Sequence, residues 1–405
     1  MHSAAQSLKQ YLQSRFQKDT TVAEANDGLV MLPDVLENQI AKKLQALPSP
    51  TPYQETVKTE ISAAIEAWQQ NLDAPNSLVL LGNPVEPIAN ILNDSLRQWV
   101  DPPASIITPL RCVERPLDPW QLKRKVEGAL MPYAQIEPPE TKDTDQQPEP
   151  NSLDNRKTLI LVPCLEQCFL RCIGGWESIE YLRDIAIHHR NCFWVMGCNH
   201  WAWNFLDFVC QVSAYFSEVK ALPELDGEML KDWLDPVVKT IIATPEKEKV
   251  SEEEEGDRPE YWDVLARKSL GVSSVAKSLW LQSLRIEAEI IEETEDLRDL
   301  KLLGQDTDQK EELNLLEVRP TLPNLPTLSG NDRYLLHSLL IHGHMTRAHL
   351  AFSLGQQEGQ IQSAIQALLR KGLLERANGG LRVEATHYAK LKMELSNNNF
   401  FVGDD

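Results

Sequence analysis

No stretch of the 405 residues is long and apolar enough to suggest a membrane span. The most apolar run, Asn191 to Val212, is broken by Asn199, His200, Asn204 and Asp207, whereas a spanning helix needs about 20 mainly apolar residues. The opening residues, MHSAAQSLKQYLQSRFQKD, lack the apolar centre of a secretory leader and read as an amphipathic docking helix. Positive charge is scarce: 40 Lys and Arg against 60 Asp and Glu leave a net charge of −20. That argues against indiscriminate nucleic-acid binding, which needs a cationic face, but allows a local basic patch. There is no C-x-x-C pair, and the seven cysteines are an odd number. Reduced thiols and a cytoplasmic setting are therefore expected. No internal repeat is visible. What remains is a composition of 42% apolar and 25% charged residues, that of a soluble globular chain with room for two or three domains.

The first 50 residues read as helical. Leu36, Ile40, Leu44 and Leu47 repeat at helical spacing before Pro48 and Pro50. A second helix, Glu55 to Gln70, carries Val57, Ile61, Ile65 and Trp68. Short apolar runs bounded by breakers then predict buried strands at Ser77–Leu81, Ser105–Thr108, Thr158–Val162 and Cys192–Gly197. Helical patterns fall between them at Ile88–Val100, Pro119–Leu130 and Gly174–Arg190. Strands alternating with helices imply a parallel sheet covered on both faces. The polar segment at about 135–156 reads as a mobile insertion. Beyond residue 220 the pattern is helical, strongest at Asp226–Trp233 and Val264–Leu284. Acidic runs at Glu252–Glu255 and Ile286–Glu317 read as mobile and dispensable for folding. The proline-rich Thr321–Gly330 reads as a linker.

A strand ending in glycine, then a loop and a helix, is the setting of a phosphate-binding loop. Its amides and helix N-terminus hold phosphate, a Lys neutralises charge, and a Ser or Thr binds magnesium. Here SLVLL runs into Gly82-Asn83-Pro84-Val85-Glu86-Pro87-Ile88-Ala89. Against G-x-x-x-x-G-K-[ST], Gly82 survives, but Pro87, Ile88 and Ala89 replace the second Gly, the Lys and the Ser/Thr. Pro84 and Pro87 remove two N–H donors, and Glu86 puts negative charge where phosphate would sit. After the third strand, TLILV, an acidic element should follow; the sequence has Pro163-Cys164-Leu165-Glu166. Glu166 reads as a surface residue, with a relic of the acidic element as the alternative. Asn199, ending the fourth strand, is either a sensor of the terminal phosphate or the N-cap of the next helix.

The order SLVLLG, helix, TLILVPCLE, helix, CFWVMGCN, then LDGEMLKDWL and LARKSLGVSSVAKSLWLQSLR, resembles AAA+ ATPases of the origin-recognition or STAND type over about residues 55 to 285. In such proteins the helical lid carries a G-x-P-x-x-A-like turn, and Gly271-Val272-Ser273-Ser274-Val275-Ala276 is similar to it. Ser273 and Ser274 occupy the positions where a lid arginine would contact phosphate. The resemblance implies a P-loop-NTPase-like sheet with a helical lid.

At the C-terminus, Asp332–His342, RAHLAFSL (Arg347–Leu354) capped by Thr346, and Gly359–Lys371 predict three helices, and LLERANGGLRVEA a hairpin about Asn378-Gly379-Gly380. Three helices and a hairpin resemble a winged helix. Such modules often read DNA through the third helix, which here presents Glu358, Gln360, Gln362, Ser363 and Gln366. Arg370, Lys371, Arg376 and Arg382 are the candidate nucleic-acid or partner contacts. From 330 to 405, eight Lys/Arg face seven Asp/Glu, a balance that favours protein docking over DNA.

Cys164, Cys168 and Cys172, at i, i+4 and i+8, fit one helical face. With Cys192, Cys198, His188, His189 and His200 they could be imagined as a metal site, but buried free cysteines are the simpler reading and no metal is expected. Trp176, Trp194, Trp201 and Trp203 read as core packing, with a partner surface as the alternative. His337, His342, His344 and His349 are irregularly spaced. No catalytic arrangement can be argued from spacing.

These readings predict four parts: an N-terminal helical segment at 1–54, a degenerate nucleotide-binding-like α/β core at 55–220, a helical lid at 221–320 and a winged helix at 321–405. The expected function is non-enzymatic: a regulatory or scaffolding subunit presenting its winged helix and a tryptophan-rich face to a protein partner, such as an active ATPase relative. The alternatives are a divergent ATPase using ATP and magnesium, and a winged-helix DNA-binding regulator.

Overall fold

The computed structural model describes residues 28–97, 99–111, 115–134, 156–241, 260–293, 315–377 and 379–402. Five parallel strands form the central sheet: β2 (Ser77–Gly82), β3 (Ser105–Ile107), β4 (Thr158–Val162), β5 (Cys192–Asn199) and β6 (Val219–Ala221), in the order β3-β4-β5-β2-β6. Every residue of β2 and β5 is buried. Their apolar runs lack alternation because helices cover both faces. The chain leaves β2 for the far edge and returns through β4 and β5 to its side. The loops after β2, β4 and β5 thus gather at one end of the sheet, where open α/β sheets bind ligands. Gly197 of β5 has no room for a side chain: a Cβ would lie 2.6 Å from Leu92 Cδ1 and collide with the Pro163 carbonyl.

Helix α1 (Asp34–Ala46) buries Leu36, Ile40 and Leu44, and α2 (Thr51–Gln70) buries Val57, Ile61, Ile65 and Trp68. Helices α3 (Ile88–Arg97), α4 (Gln121–Ala134), α5 (Glu177–His188) and α6 (His200–Cys210) fall between or after the strands. The polar stretch at 135–155 lies outside the described residues. Its neighbour Arg156 is only 2% exposed. Its guanidinium donates to the Trp68, Asn71 and Leu72 carbonyls at the C-terminal end of α2, groups that have no partner within the helix.

Two departures from the periodicity appear. The first 50 residues are not all helical, since β1 (Leu29–Met31) pairs antiparallel with β7 (Leu284–Glu287), which also pairs with β8 (Leu316–Glu317). Ile286 and Leu315 are fully buried there, so both ends of the acidic stretch at 286–317 are structural. Residues 1–27, 242–259 and 294–314 lie outside the described residues, and with them the run Glu252–Glu255. Second, the helical pattern at Val264–Leu284 is two helices. After α7 (Gly227–Val238), α8 (Tyr261–Ser269) ends at Leu270 and Gly271, both with positive φ, and α9 (Ser273–Ser283) begins two residues later. Helix α1 packs on α7 and α9, and Trp233 Nε1 donates to the Pro48 carbonyl at 2.9 Å.

After α10 (Ala288–Glu293), the C-terminal module contains α11 (Gly330–His342), α12 (Arg347–Leu354), α13 (Glu358–Arg370), the hairpin β9 (Leu374–Ala377) and β10 (Gly380–Val383), and α14 (Tyr388–Asn397). Ser329 and Asp332 form a capping box on α11, and Thr346 caps α12. An antiparallel bridge joins Met345 to Leu381. The helix–helix–helix–hairpin order is as expected; α14 is an addition that the sequence pattern did not suggest. The proline-rich stretch lies against the core, with Leu328 buried.

Candidate functional site

Gly82-Asn83-Pro84-Val85-Glu86-Pro87 forms a tight turn at the carboxyl end of β2, with Glu86 N–H donating to the Asn83 carbonyl and Ile88 N–H to the Glu86 carbonyl. The turn therefore uses its own amides, and Pro84 and Pro87 have none to offer. Glu86 is buried. Its Oε1 accepts from the backbone N–H of Ser273 at 2.5 Å and from the Tyr53 hydroxyl at 2.9 Å, and its Oε2 accepts from the Ser273 hydroxyl at 2.8 Å. Burial pushes the Glu86 carboxyl above its ordinary range, against the pull of these donors and of Lys277. Every partner is a donor, and the main-chain N–H cannot reverse, so the ionised carboxylate suits the site. Tyr53 also reaches the Gly271 carbonyl at 3.3 Å.

Glu166 is buried, not on the surface. It lies in a single turn of 3₁₀ helix (Leu165–Gln167) after β4, so Cys164, Cys168 and Cys172 do not share an α-helical face. Its carboxylate accepts from the Asn199 N–H at 2.6 Å and the Cys164 thiol at 3.0 Å. Burial raises its pKa. Arg115, also buried, donates to the carbonyls of Glu166 (2.5 Å), Phe169 (2.9 Å) and His344 (3.4 Å). Burial pushes its guanidinium down to about 10.

Asn199 does cap α6: its Oδ1 accepts from the Ala202 N–H at 2.8 Å. Its amide nitrogen points the other way, to the Leu340 and Ile341 carbonyls at 3.3 and 3.0 Å. Gln167 donates to the His342 carbonyl at 3.1 Å. The last carbonyls of α11 are thus capped by side chains of the sheet. Arg171 N–H donates to His342 Nε2, Arg171 Nη1 faces His337 Nδ1, and Tyr388 OH donates to Asn83 Oδ1 at 3.2 Å. The C-terminal module is therefore seated on the end of the sheet where a nucleotide would bind.

These groups do not fit magnesium and a triphosphate. The loop offers a carboxylate instead of free amides, Ile88 and Ala89 are apolar, and Glu166 and Asn199 already bond to each other and to α11. Of the sequence-predicted positions, the structure brings Glu166 and Asn199 together. It places Gly82, Pro87, Ile88 and Ala89 in the turn and first turn of α3. Arg370, Lys371, Arg376 and Arg382 lie apart, exposed on α13 and the hairpin, and Arg382 donates to Glu375 at 2.5 Å. Trp194, Trp201 and Trp203 are buried, and Trp201 faces His337 and Tyr388. Three of the four tryptophans of the expected partner face are therefore interior, and Trp176 is half-buried against the core. Sequence reading missed Tyr53, Arg115, Gln167 and Tyr388. Only a polar residue amid an apolar helical stripe, as at Tyr53, could have hinted at one of them.

No protein-family model matches the chain, and no curated protein matches it. Solved structures that it resembles include a variant of RuvB from Thermotoga maritima, at 17% identity and a TM-score of 0.30, covering 84% of this chain and 94% of that one. ORC1 of Aeropyrum pernix in complex with DNA is 12% identical, with a TM-score of 0.36, covering 92% and 100%. ORC2 of Aeropyrum pernix, in ADPNP and ADP complexes, is 8% identical, with a TM-score of 0.37, covering 87% and 98%. The five parallel strands, the loop after β2 and the helices that follow make the core a P-loop-NTPase-like α/β fold. No helix among the described residues is long and apolar enough to cross a membrane.

Proposed function

We propose that the chain is a non-catalytic AAA+-like subunit that works as a scaffold, docking a protein partner without turning over ATP. The observation that carries this reading is the Asn199 side chain. Its oxygen caps α6 and its nitrogen caps α11, so the position suited to sensing a terminal phosphate is committed to holding the C-terminal module. The absence of the loop Lys and Ser/Thr supports it, because phosphoryl transfer depends on electrostatic stabilisation by such groups and by magnesium. In this reading 55–220 is a degenerate core, 221–320 a lid and 321–405 a winged helix. A partner would cover exposed apolar side chains such as Ile173 (88% exposed), Phe208 (82%) and Trp120, which lies against Gly174 beside Ile173.

Titration calorimetry of the full chain with ATP and magnesium tests the reading. No binding heat at micromolar concentrations is expected. Micromolar affinity, or turnover abolished by Glu166→Gln, would transfer the chain to the divergent ATPases. Duplex DNA as the ligand is the second alternative, and the pairing of Arg382 with Glu375 weakens it.

A further inference from the structure

Two departures from the sequence patterns meet in space. Glu86 stands in the loop where phosphate would be bound, and Ser273 stands at the proline position of the G-x-P-x-x-A-like lid turn. A proline there has no N–H and no hydroxyl. Ser273 supplies both, and both go to Glu86, at 2.5 and 2.8 Å. The acceptor also lies at the N-terminus of α9, an 11-residue helix whose first amides have no internal partner and whose dipole favours an anion. Lys277, one turn along, adds a positive charge that acts on Glu86. Tyr53 completes the shell, its hydroxyl reaching both Glu86 and the Gly271 carbonyl.

We propose that Glu86 is a built-in anion that latches the lid shut, its carboxylate doing for the turn between α8 and α9 what a ligand phosphate would otherwise do. The lid then keeps one position relative to the sheet with no ligand bound. The inference rests on the non-catalytic reading, and adds to it: the loop has not merely lost its ligand chemistry but carries a replacement for the ligand. The position of the turn is fixed from a second direction by Gly271. Its carbonyl accepts from Leu225 N–H at 2.9 Å, and a Cβ there would lie 2.7 Å from Leu225 N and Glu224 Cβ. The turn is therefore gripped between the core loop and the entry to α7, and removing the carboxylate releases one of the two grips.

The test is amide hydrogen exchange on the full chain, without nucleotide, comparing Ser273–Lys277 with β5 as an internal reference. Glu86→Ala should speed exchange at Ser273–Lys277 about tenfold or more while β5 is unchanged. Sodium formate, a small carboxylate able to enter the vacated space, should restore protection in Glu86→Ala and change nothing in the parent. Ser273→Pro gives an independent arm. Proline is tolerated at the first helical position, and Val272 already has the extended backbone that precedes proline, so α9 should persist while its donors to Glu86 are gone. That variant should also exchange faster over Ser274–Lys277, the amides that remain, and formate should not rescue it. If Glu86→Ala does not fold, Glu86→Gln keeps the shape, and a smaller acceleration is expected. Unchanged protection in whichever of these variants fold, or acceleration in Glu86→Ala that formate leaves untouched, would overturn the latch. Micromolar ATP binding by the parent would instead overturn the non-catalytic reading and leave the exchange result readable on its own terms.

Discussion

Two junctions hold this molecule together at the carboxyl end of its sheet, and they are built on opposite principles. At the lid, one carboxylate sits at the centre and donors from three directions converge on it: the Ser273 N–H, the Ser273 hydroxyl and the Tyr53 hydroxyl. At the C-terminal module, the core supplies most of the donors, Tyr388 to Asn83 being the exception. Arg115, Gln167 and Asn199 each reach main-chain carbonyls at or just beyond the end of α11. The first junction is concentrated in one side chain. The second is distributed and reads mainly the backbone, which any residue provides, with His342, His337 and Asn83 as side-chain additions. A concentrated junction can be undone by one substitution; a distributed one loses strength in instalments, unless the substitution removes a donor that several carbonyls share.

Arg115 is such a donor, and Arg115→Ala should have the largest effect. It leaves the Glu166, Phe169 and His344 carbonyls without their guanidinium partner in a buried setting, a loss of roughly 3–5 kcal/mol. Urea unfolding followed by tryptophan fluorescence measures it. A change below about 1 kcal/mol would mean that the second junction does not depend on this residue.

Acidification should separate the two junctions. His337 is 5% exposed and lies between Arg171, the Phe401 carbonyl, Trp201 and Phe400. Burial, aided by Arg171, pushes its pKa down to about 4. Its folded pKa is below the unfolded value of about 6.5, so the unfolded state binds the proton first. Stability is then full above pH 6.5 and falls as pH drops toward 4, by about 1.4 kcal/mol per unit for this residue. Glu86 and Glu166 have the opposite sign: their raised folded pKa values mean that protonation relieves a burial cost. Between pH 7 and 5, proteolytic cleavage within α11 should accelerate while cleavage within α9 does not. Equal acceleration would show that the histidine is not what distinguishes them.

A smaller effect is expected from Asn199→Ala, which removes a helix cap and two bonds to α11, together about 2 kcal/mol. Asn199→Asp keeps the cap but replaces the donor amide with an oxygen that faces the Leu340 and Ile341 carbonyls, so it breaks the tie to the C-terminal module, and its difference from Asn199→Ala reflects the cap together with the cost of the added buried carboxylate. Smallest of all should be Arg376→Ala on the hairpin. If the module reads DNA, full-chain affinity for a duplex should fall by about 0.9 log units per log unit of salt for each phosphate contacted, and this variant should flatten that slope. The expected outcome is no measurable slope to flatten.

The contrast between the junctions also explains what the sequence disclosed. Four of the five parallel strands, most helices and the hairpin were legible because burial on both faces leaves continuous apolar runs and turns need particular residues; the half-exposed edge strand Val219–Ala221 was not. Glu86 was legible as an anomaly, since a carboxylate contradicts a phosphate loop. Its partner Ser273 could be named only as a deviation from a turn pattern, because the N–H it donates belongs to the main chain. Glu166 was misplaced on the surface for a related reason: the amide of Asn199 that makes its burial tolerable carries no signature. Arg115 was invisible, since its acceptors are carbonyls far apart in sequence. Strand β7 was hidden where the helical pattern ending at Leu284 meets the acidic run that begins at Ile286, because its partner, Leu29–Met31, is far away in sequence.

Arg156 carries one more implication. By tying the start of β4 to the carbonyls that end α2, it fastens the chain at the very point where the polar stretch at 135–155 rejoins the sheet. Whatever happens upstream, the strand begins from a fixed anchor. The entropy of closing a loop grows only with the logarithm of its length, about 0.6 kcal/mol for each doubling. A longer chain ahead of Arg156 would therefore cost the strand little, because that side chain already clasps the start of β4 to the end of α2.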